Sequence, residues 1–368
     1  MNVLFVALGI HGRVGGIEAY CRRIMRCLGE LSGTVVGRAT VVALWDGADR
    51  CPEAPPGVRY LPGSSGKLRT AAAFLREARA TCPDIVLYGH VLLAPLVVPG
   101  RWLVPRARHM LFAYGMEVWG DPAFRRVSGW ERRLVRRRFD RVVSISRFTA
   151  GRMATAYGLS AGAFRFLPPA VDAAGPGTAR FADAPPTVLA VSRLRPEERT
   201  KGIDTLLRAM PAVLAAVPEA RCRVVGDGPM RPELEALAAS LGLRDRVTFS
   251  GYLPDSGLDR AYRESAVFAM PSSQEGFGIV YLEAWRHGLP VVAGNRDAGA
   301  EVVTNGETGL TVEPGSVDRL AEAIISLLRD PAARRRMGER GRAVLSEFYT
   351  HEAFRARFAD VLADRGPA

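Results

Sequence analysis

Short apolar runs alternate with longer amphipathic segments along most of the chain. The runs are rich in Val, Ile, Leu and Ala, which is typical of strands buried on both faces. In the first half they predict strands at Asn2–Ala7, Thr40–Leu44, Val58–Leu61, Asp84–Tyr88, His109–Ala113 and Arg141–Ser144. In the second half they predict strands at Thr187–Ser192, Cys222–Val225, Val247–Ser250, Ala266–Met270 and Pro290–Ala293. Helical segments such as Leu68–Ala80 and Glu131–Arg138 separate the strands, so we expect α/β domains with mostly parallel sheets.

The alternation of strands and helices is interrupted once, near the middle of the chain. Ala173–Pro186 consists largely of Ala, Gly and Pro without apolar periodicity, and we interpret it as a linker. A chain of 368 residues is long for one hydrophobic core and suits two domains. We therefore predict an N-terminal domain over 1–175 and a C-terminal domain over 176–349.

Cysteine usage and hydropathy indicate the compartment. The five cysteines form no C-x-x-C pair and no cluster with zinc-ligand spacing, as expected for reduced thiols in the cytosol. No apolar run approaches the length of about 18 to 20 residues that spans a bilayer. The apolar run Val3–Ile10 lacks the basic start and cleavage site of a signal peptide, so we assign it to the first strand.

The net charge of +12 is concentrated in the first half. Residues 1–180 carry 26 Lys and Arg against 12 Asp and Glu, whereas residues 181–368 carry 24 against 26. An anionic membrane surface, a diphosphate-bearing partner and an Arg-rich composition each explain such an excess. We do not expect nucleic-acid binding, because no recognition motif or aromatic stacking platform accompanies the charge. In the basic segment around Glu131–Arg138, Trp130, Leu134 and Val135 are expected to share one helical face, with arginines over much of the remainder. This basic helix is either solvated or in contact with anionic lipid.

Two glutamates frame a turn after the predicted strand Ala266–Met270. Glu275 lies in the loop before Gly-Phe-Gly, and Glu283 lies in a helix whose apolar face is Ile279, Leu282 and Trp285. Open α/β sheets bind ligands at the carboxyl ends of their strands. The helix that contains Glu283 begins just after the carboxyl end of the strand Ala266–Met270, and a helix N-terminus favours negative charge. The two carboxylates are therefore candidate ligand-binding groups.

Other loops that follow strands carry glycines and cations. Gly15 and Gly16 open the first helix directly, which leaves backbone N–H groups to cradle an anion, although the spacing does not fit G-x-G-x-x-G. Arg193 and Lys201 frame the loop after the strand Thr187–Ser192, with Arg199 between them. Taken alone, these cations are either phosphate ligands or solvated loop residues.

These motifs together resemble the retaining GT-B glycosyltransferases of family 4, the glycogen-synthase and phosphatidylinositol-mannosyltransferase kind. The resemblance rests on Glu275-x7-Glu283, on Gly-Gly-Ile-Glu at 15–18, on Arg193 with Lys201-Gly-Ile-Asp204, and on the turn Tyr114-Gly-Met-Glu117. Members of the family have His where this chain has Tyr114, and a tyrosine hydroxyl can also donate one hydrogen bond. Phe166–Asp172 is similar to the family's exit strand. The resemblance implies two Rossmann-like domains facing each other across a cleft, with a C-terminal helix of about 350–368 packed back on the first.

The resemblance also implies roles for individual residues. Arg193, Lys201 and Arg199 would clamp the donor diphosphate, Glu275 would hold sugar hydroxyls, Glu283 would hold the ribose, and Tyr114 would replace the family histidine. Further donor-binding positions would be Gly15, Gly16, Gly226, Gly251, Tyr252, Leu253, Gly276, Phe277, Gly278, Ile279 and Val280. On the acceptor side the candidates are His11, Glu18 and Glu117.

The expected reaction is transfer of a mannose- or glucose-type hexose from a UDP- or GDP-linked sugar to an acceptor hydroxyl, in polysaccharide, glycolipid or lipid-linked glycan biosynthesis. The chain has no D-x-D motif, so we expect no metal and no cofactor other than the sugar nucleotide as co-substrate. A glycoside hydrolase would not need a cationic diphosphate clamp. Glycosylation of a soluble small molecule, and a non-catalytic relative that binds nucleotide or glycan, remain alternatives. The expected location is cytoplasmic, with peripheral attachment to the plasma membrane left open.

Overall fold

The chain folds into two compact units. The structure is a computed structural model that describes residues 1–12, 15–47, 54–62, 66–122, 124–172 and 186–364. The first unit comprises Met1–Pro169 with His351–Ala368, and the second comprises Ala170–Thr350. The predicted linker, Ala173–Pro186, lies outside the described residues except for Pro186.

The first unit is built around a seven-stranded parallel sheet. Its strands are β1 (Asn2–Ala7), β2 (Arg38–Ala43), β3 (Val58–Pro62), β4 (Ile85–Tyr88), β5 (Arg108–Ala113), β6 (Arg141–Ser144) and β7 (Phe164–Phe166). The helices between them are α1 (Gly16–Glu30), α2 (Lys67–Thr81), α3 (Val97–Leu103), α4 (Gly129–Arg138) and α5 (Arg147–Tyr157). The spatial order is β3-β2-β1-β4-β5-β6-β7, and every pairing is parallel.

The second unit repeats this arrangement with six parallel strands. They are β8 (Thr187–Val191), β9 (Arg221–Val225), β10 (Val247–Phe249), β11 (Val267–Met270), β12 (Val291–Gly294) and β13 (Gly309–Val312). The helices are α6 (Ile203–Ala216), α7 (Arg231–Ser240), α8 (Asp255–Arg263), α9 (Ile279–Arg286), α10 (Gly299–Val302), α11 (Val317–Arg329) and α12 (Pro331–Phe348). The order β10-β9-β8-β11-β12-β13 again places the first strand of the unit beside its fourth.

The last helix, α13 (His351–Leu362), belongs to the first unit. It packs against α1, where the Phe354 ring lies edge-on to the Tyr20 ring at 5.3 Å. At the end of α1, Glu30 accepts a hydrogen bond from His351 Nε2 at 2.7 Å. A buried aromatic contact and a polar contact therefore hold this segment to the N-terminal sheet layer.

Two details differ from the sequence expectations. The strand that resembles the family's exit strand ends at Phe166, and residues 167–172 form no strand. Trp130 does not share the buried face of α4, because that face runs through Glu131, Leu134 and Val135. Glu131 is drawn inward by Arg125 and by the Tyr157 hydroxyl, both of which donate to it, so the neighbouring Trp130 turns to solvent and is 60% exposed.

Both sheets reverse their strand order at one point, between β1 and β4 and between β8 and β11. Connections on the two sides of such a point leave the sheet in opposite directions, which opens a crevice at the carboxyl ends of the two strands. Gly15 and Gly16 follow β1, Arg193 and Lys201 follow β8, and Glu275 follows β11, so these candidates lie at the reversal points. Other candidates follow the neighbouring strands β5, β9 and β10. Among the described residues no helix is both long enough and apolar enough to cross a membrane.

Candidate active site

In the second unit, the crevice lies between the loop after β8 and the loop after β11. The first loop contains a short 3-10 helix, Pro196–Lys201. The second runs from Pro271 to the start of α9. The two loops are joined by a hydrogen bond from the Ser273 N–H to the Thr200 carbonyl at 2.8 Å. This bond places the last residue of the 3-10 helix, Lys201, beside the predicted carboxylate loop.

Lys201 and Glu275 form an ion pair across this crevice, with Lys201 Nζ donating to Glu275 Oε2. The side chains are 18% and 13% exposed, so the pair is largely removed from water. A partly buried cation and carboxylate at the carboxyl end of a sheet form a polar site that a charged ligand could reorganise. Two residues singled out separately in the sequence are therefore brought together by the fold.

Asp297, in the loop after β12, binds the backbone of Glu275. No sequence motif indicated this role. The Asp297 carboxylate accepts the Glu275 N–H at 2.7 Å and the Gly299 N–H at 2.8 Å, and it is almost fully buried. Burial, with a further contribution from the negative charge of Glu275, raises the pKa of Asp297 to about 7. An Asp two positions before a Gly at a helix start is a signal for such a turn.

Glu283 lies in the second turn of α9 and is held by a residue from another helix. The Tyr262 hydroxyl of α8 donates to Glu283 Oε2 at 2.9 Å. Burial raises the pKa of Glu283, and the hydrogen bond from Tyr262 opposes that rise. The Tyr262 ring is itself stacked on His287 at 5.2 Å. The orientation of Glu283 therefore depends on Tyr262, which no sequence motif indicated.

The loop between the two glutamates forms the start of α9. Phe277 is buried against the Tyr349 ring at 5.6 Å, whereas Gly276 is partly exposed. Gly278 occupies the N-cap position, and Ile279 and Val280 begin the helix. The N–H groups of this first turn have no intrahelical acceptors, which makes the position suitable for an anion or a hydroxyl.

The two arginines of the predicted clamp have other partners in this structure. Arg193 is exposed and donates to Glu198 within its own loop. Arg199 donates to both carboxylate oxygens of Glu233 on α7, at 2.8 and 2.6 Å. Of the three cations, only Lys201 is paired with a predicted site carboxylate. The clamp function of Arg193 and Arg199 stays a prediction.

The loops after β9 and β10 meet at the same edge of the second sheet. The Gly226 N–H donates to the Gly251 carbonyl at 2.8 Å. Gly226 has a φ of +125°, and a Cβ there would lie 1.9 Å from the Ser192 carbonyl oxygen, so no other residue fits. Beyond Gly251, Tyr252 is 70% exposed and Leu253 partly buried. An aromatic ring exposed beside a ligand crevice is available for stacking.

In the first unit, the loop after β1 is organised by Asp46, which the sequence reading also missed. Its buried carboxylate accepts the N–H groups of Ile10, His11 and Gly12 at 2.8 to 3.1 Å, and the Tyr60 hydroxyl also donates to it. The chain thus satisfies these amides with its own carboxylate. Burial lowers the pKa of His11, and the positive charge of Arg22 adds to this effect while Asp46 opposes it.

The predicted anion cradle lies further along the same loop. Gly15 is the N-cap of α1 and Gly16 is its first residue. Glu18 lies in the first turn, with its carboxylate folded over Gly15, so that a Cβ at Gly15 would meet Glu18 Oε2. The helix start is thus partly screened by an acidic side chain, which favours a hydroxyl over an anion there.

The turn after β5 contains Tyr114 and Glu117. Glu117 Oε1 accepts the N–H groups of Tyr114 and Gly115 at 2.6 and 3.0 Å, and burial raises the pKa of Glu117. Tyr114 is 7% exposed, and its hydroxyl lies 3.7 Å from Cys21 Sγ of α1. In this arrangement Glu117 shapes the turn and the Tyr114 hydroxyl contacts the core, so a hydrogen bond from Tyr114 to a ligand stays a prediction.

Comparison with known proteins identifies the class to which this geometry belongs. The family model Glycosyltransferase Family 4 matches residues 14–174, and the model Glycosyl transferases group 1 matches residues 178–344. The chain is 33% identical over 98% of both sequences to the GDP-mannose-dependent alpha-(1-6)-phosphatidylinositol monomannoside mannosyltransferase of Mycobacterium tuberculosis. It is 36% identical to the corresponding monoacylated-substrate enzyme of Corynebacterium glutamicum, over 82% of this chain and 74% of the relative. The chain is a glycosyltransferase, and it belongs to family 4.

Solved structures support the fold independently. Anabaena HepE in complex with UDP superposes with a TM-score of 0.79 at 21% identity, over 99% of this chain and 100% of that one. Sucrose-phosphate synthase from Thermosynechococcus elongatus superposes with a TM-score of 0.80 at 23% identity, over 99% of both chains. The predicted α/β GT-B class, with two parallel-sheet domains, is confirmed.

Proposed function

We propose that this enzyme transfers a hexose from a nucleoside-diphosphate sugar to a hydroxyl of a glycolipid acceptor, with GDP-mannose as the first candidate donor. The observation that carries the proposal is the Lys201–Glu275 pair at the reversal point of the second sheet. GDP-mannose is favoured because the relatives matched over most of their length are named as GDP-mannose-dependent.

In the donor complex, the diphosphate would replace carboxylates as the partner of two cationic side chains. Lys201 would turn from Glu275 to a phosphate oxygen, and Arg193 would leave Glu198 for the same group. Cationic contacts strengthen as the diphosphate departs, because negative charge accumulates on it in the transition state. Glu275 would then be free to accept hydrogen bonds from hydroxyls of the donor sugar.

The remaining loops would hold the nucleoside. Glu283, oriented by Tyr262, would accept from the ribose hydroxyls. Tyr252 would cover the base while backbone groups at Gly251 and Leu253 hydrogen-bond to it, and the amides at the start of α9 would contact phosphate or sugar. These assignments rest on exposure and position at the sheet edge together with the family resemblance.

The chemistry would need neither metal nor protein nucleophile. Two cations and helix-terminal amides would neutralise the leaving diphosphate, and the acceptor hydroxyl would attack from the side of that leaving group. The acceptor proton would pass to the departing phosphate, and because the new bond would form on the face from which the diphosphate leaves, the anomeric configuration would be retained.

The acceptor would be presented at an anionic membrane surface on the cytoplasmic side. In the first unit, apolar side chains of α3, of the 3-10 helix Val91–Leu96 before it and of α4 lie in water: Trp102 is 83% exposed, Trp130 60% and Leu92 56%. The arginines of α4 at 132, 133, 136 and 137 are exposed as well. Aromatic and basic side chains together are typical of surfaces that insert at a lipid headgroup layer.

A two-stage experiment tests the proposal. First, thermal shift is measured with GDP, UDP, GDP-mannose and UDP-glucose, since a ligand at one hundred times its Kd stabilises by about 2.7 kcal/mol. Second, the stabilising sugar nucleotide is incubated with phosphatidylinositol monomannoside or with inositol. Transfer to the lipid supports the proposal. Transfer to inositol only would favour a soluble acceptor. Binding accompanied by neither transfer nor slow hydrolysis of the donor would favour a non-catalytic relative.

A further inference from the structure

His90 occupies a special position in the first unit, immediately after β4. The sheet order reverses between β1 and β4, so His90 stands at the crevice where an open α/β sheet takes its ligand. The preceding Gly89 donates its N–H to the Val6 carbonyl at 2.8 Å. A Cβ at Gly89 would lie 2.9 Å from the Phe5 ring, so the glycine lets the chain leave the sheet close to β1.

The hydrogen bonding of His90 determines where its proton resides. The residue caps the 3-10 helix Val91–Leu96, and its Nδ1 accepts the Leu92 N–H at 3.1 Å. A ring nitrogen that accepts a hydrogen bond is not protonated, so a neutral ring carries its proton on Nε2. Burial, aided by the positive charge of Arg125, lowers the pKa of His90 to about 4, which keeps the ring neutral. Nε2 is therefore a fixed hydrogen-bond donor.

The His90 ring is immobilised, yet its donor atom is unused. The side chain is 7% exposed and lies near-parallel to the Tyr114 ring, with 6.4 Å between centroids. Among the described residues, no hydrogen bond involves His90 Nε2. Nε2 of His11 and of His109 are fully buried without a partner, whereas His90 Nε2 is not among the fully buried atoms that lack one. The atom therefore reaches solvent from an otherwise buried, oriented ring.

We propose that the Nε2–H of His90 donates a hydrogen bond to a hydroxyl or ring oxygen of a bound sugar-type substrate. The proposal rests on the proposed transferase function and adds a binding residue to it. A rigid neutral donor suits an uncharged oxygen, because it recognises geometry without attracting the diphosphate. The oxygen belongs either to the acceptor or to the donor hexose, and kinetics distinguishes the two.

Two substitutions separate binding from the capping role. His90→Asn keeps an oxygen that can accept the Leu92 N–H, as Asn does at many N-caps, but removes the donor at Nε2. His90→Gln extends its amide to the former position of Nε2 and can still donate, but caps poorly. With GDP-mannose and phosphatidylinositol monomannoside, we expect His90→Asn to lower kcat/KM about 3- to 10-fold, the loss of one neutral hydrogen bond. His90→Gln should stay within about twofold.

The substrate whose KM rises identifies the bound oxygen: an effect on the lipid assigns it to the acceptor, and an effect on GDP-mannose assigns it to the donor. Wild-type rates for His90→Asn would overturn the proposal. So would losses in both variants that follow only their Tm, since capping alone would explain them.

A spectroscopic readout keeps the test independent of transfer activity. The chain has five histidines, so an ¹⁵N-histidine spectrum can be assigned with single substitutions. The wild type should show His90 as the Nε2–H tautomer from pH 6 to 8, and its Nε2 signal should move when GDP-mannose or the monomannoside is added. If no transfer occurs but the signal moves, the transferase proposal fails and the binding role stands. An Nδ1–H tautomer, or a signal unmoved by either compound, would reject His90 as a ligand donor.

Discussion

Lys201 Nζ donates to Glu275 Oε2, joining residues that lie 74 positions apart in the sequence. The pair closes the gap between the loops that follow β8 and β11, where the second sheet reverses its strand order. Each charge is largely buried, so each stabilises the other until a ligand replaces one of them.

Tyr262→Phe should weaken nucleotide binding by about 10-fold, because Glu283 loses the hydroxyl that orients it. The same hydrogen bond lowers the pKa of Glu283, so its loss raises that pKa further and the decline of affinity at low pH should begin at a higher pH. Calorimetric titration of GDP between pH 5 and 8 measures both effects.

Tyr281→Phe is the matched control for that substitution. It also removes a buried tyrosine hydroxyl of the second unit, but that hydroxyl donates to the Met270 carbonyl at 3.1 Å instead of to a glutamate. Identical titration curves for the two variants would mean that Tyr262 acts only through packing.

Asp297 should make the enzyme less stable as the pH rises from about 4 to 7. Its folded pKa of about 7 lies above the unfolded value of 3.8, so in that window the folded state holds a proton that the unfolded state has released. Stability then falls with pH, by at most about 1.4 kcal/mol per pH unit from this group. In Asp297→Asn the slope should be shallower, which Tm values measured from pH 4.5 to 7.5 would reveal. Parallel slopes in the two proteins would exclude a raised pKa.

EDTA should leave the transfer rate unchanged, because Lys201, Arg193 and backbone amides would neutralise the diphosphate without a cation. The measurement compares initial rates without EDTA and with EDTA in large excess over the enzyme and any divalent cation in the buffer, at about 0.15 M salt. Loss of activity that Mg²⁺ or Mn²⁺ restores would show that the cationic side chains do not suffice.

Replacing Arg132, Arg133, Arg136 and Arg137 by Gln should weaken binding to anionic vesicles while leaving the helix formed, since Gln has a helix propensity close to that of Arg. Each cation near such a surface contributes about 1 kcal/mol, an attraction that salt screens. Sedimentation with neutral and with anionic vesicles, at low and high salt, measures the effect.

The control for this variant removes four exposed arginines of the second unit: Arg296, Arg319, Arg335 and Arg340. It has the same net charge as the α4 variant but should bind vesicles like the wild type. Equal binding by all three proteins would eliminate α4 as the membrane contact, and binding by none of them would favour a soluble acceptor.

The parts of the site visible in the sequence are those built by local pattern. Glu275 and Glu283 could be recognised because an apolar strand, a glycine turn and an amphipathic helix follow one another directly. Strand alternation likewise predicted both parallel sheets, since strands buried on both faces leave a strong hydropathy signal. In each case the information lies within about twenty residues.

The parts that could not be predicted depend on contacts between distant segments. Asp46, Asp297 and Tyr262 act through hydrogen bonds that reach groups 21 to 36 positions away, and a lone Asp or Tyr has no periodicity that reveals its partner. Trp130 was misassigned for a related reason. Its helix buries Glu131 against Arg125 and Tyr157, and a charged residue on the inner face rotates the helix away from the orientation that hydropathy predicts.

The most direct test of the central claim compares Lys201→Ala with Arg195→Ala. Both remove a cation from the loop after β8, but Arg195 is exposed and does not belong to the predicted clamp. Tm is measured first, because Glu275 loses its partner in Lys201→Ala. Initial rates of transfer from GDP-mannose then show whether Lys201 contacts the leaving diphosphate. We predict that Lys201→Ala lowers kcat by about 10² to 10³, the cost of one lost contact to developing charge, and that Arg195→Ala stays within about twofold. A folded Lys201→Ala enzyme with a near-normal kcat would contradict the assignment of this pair as the centre of the donor site.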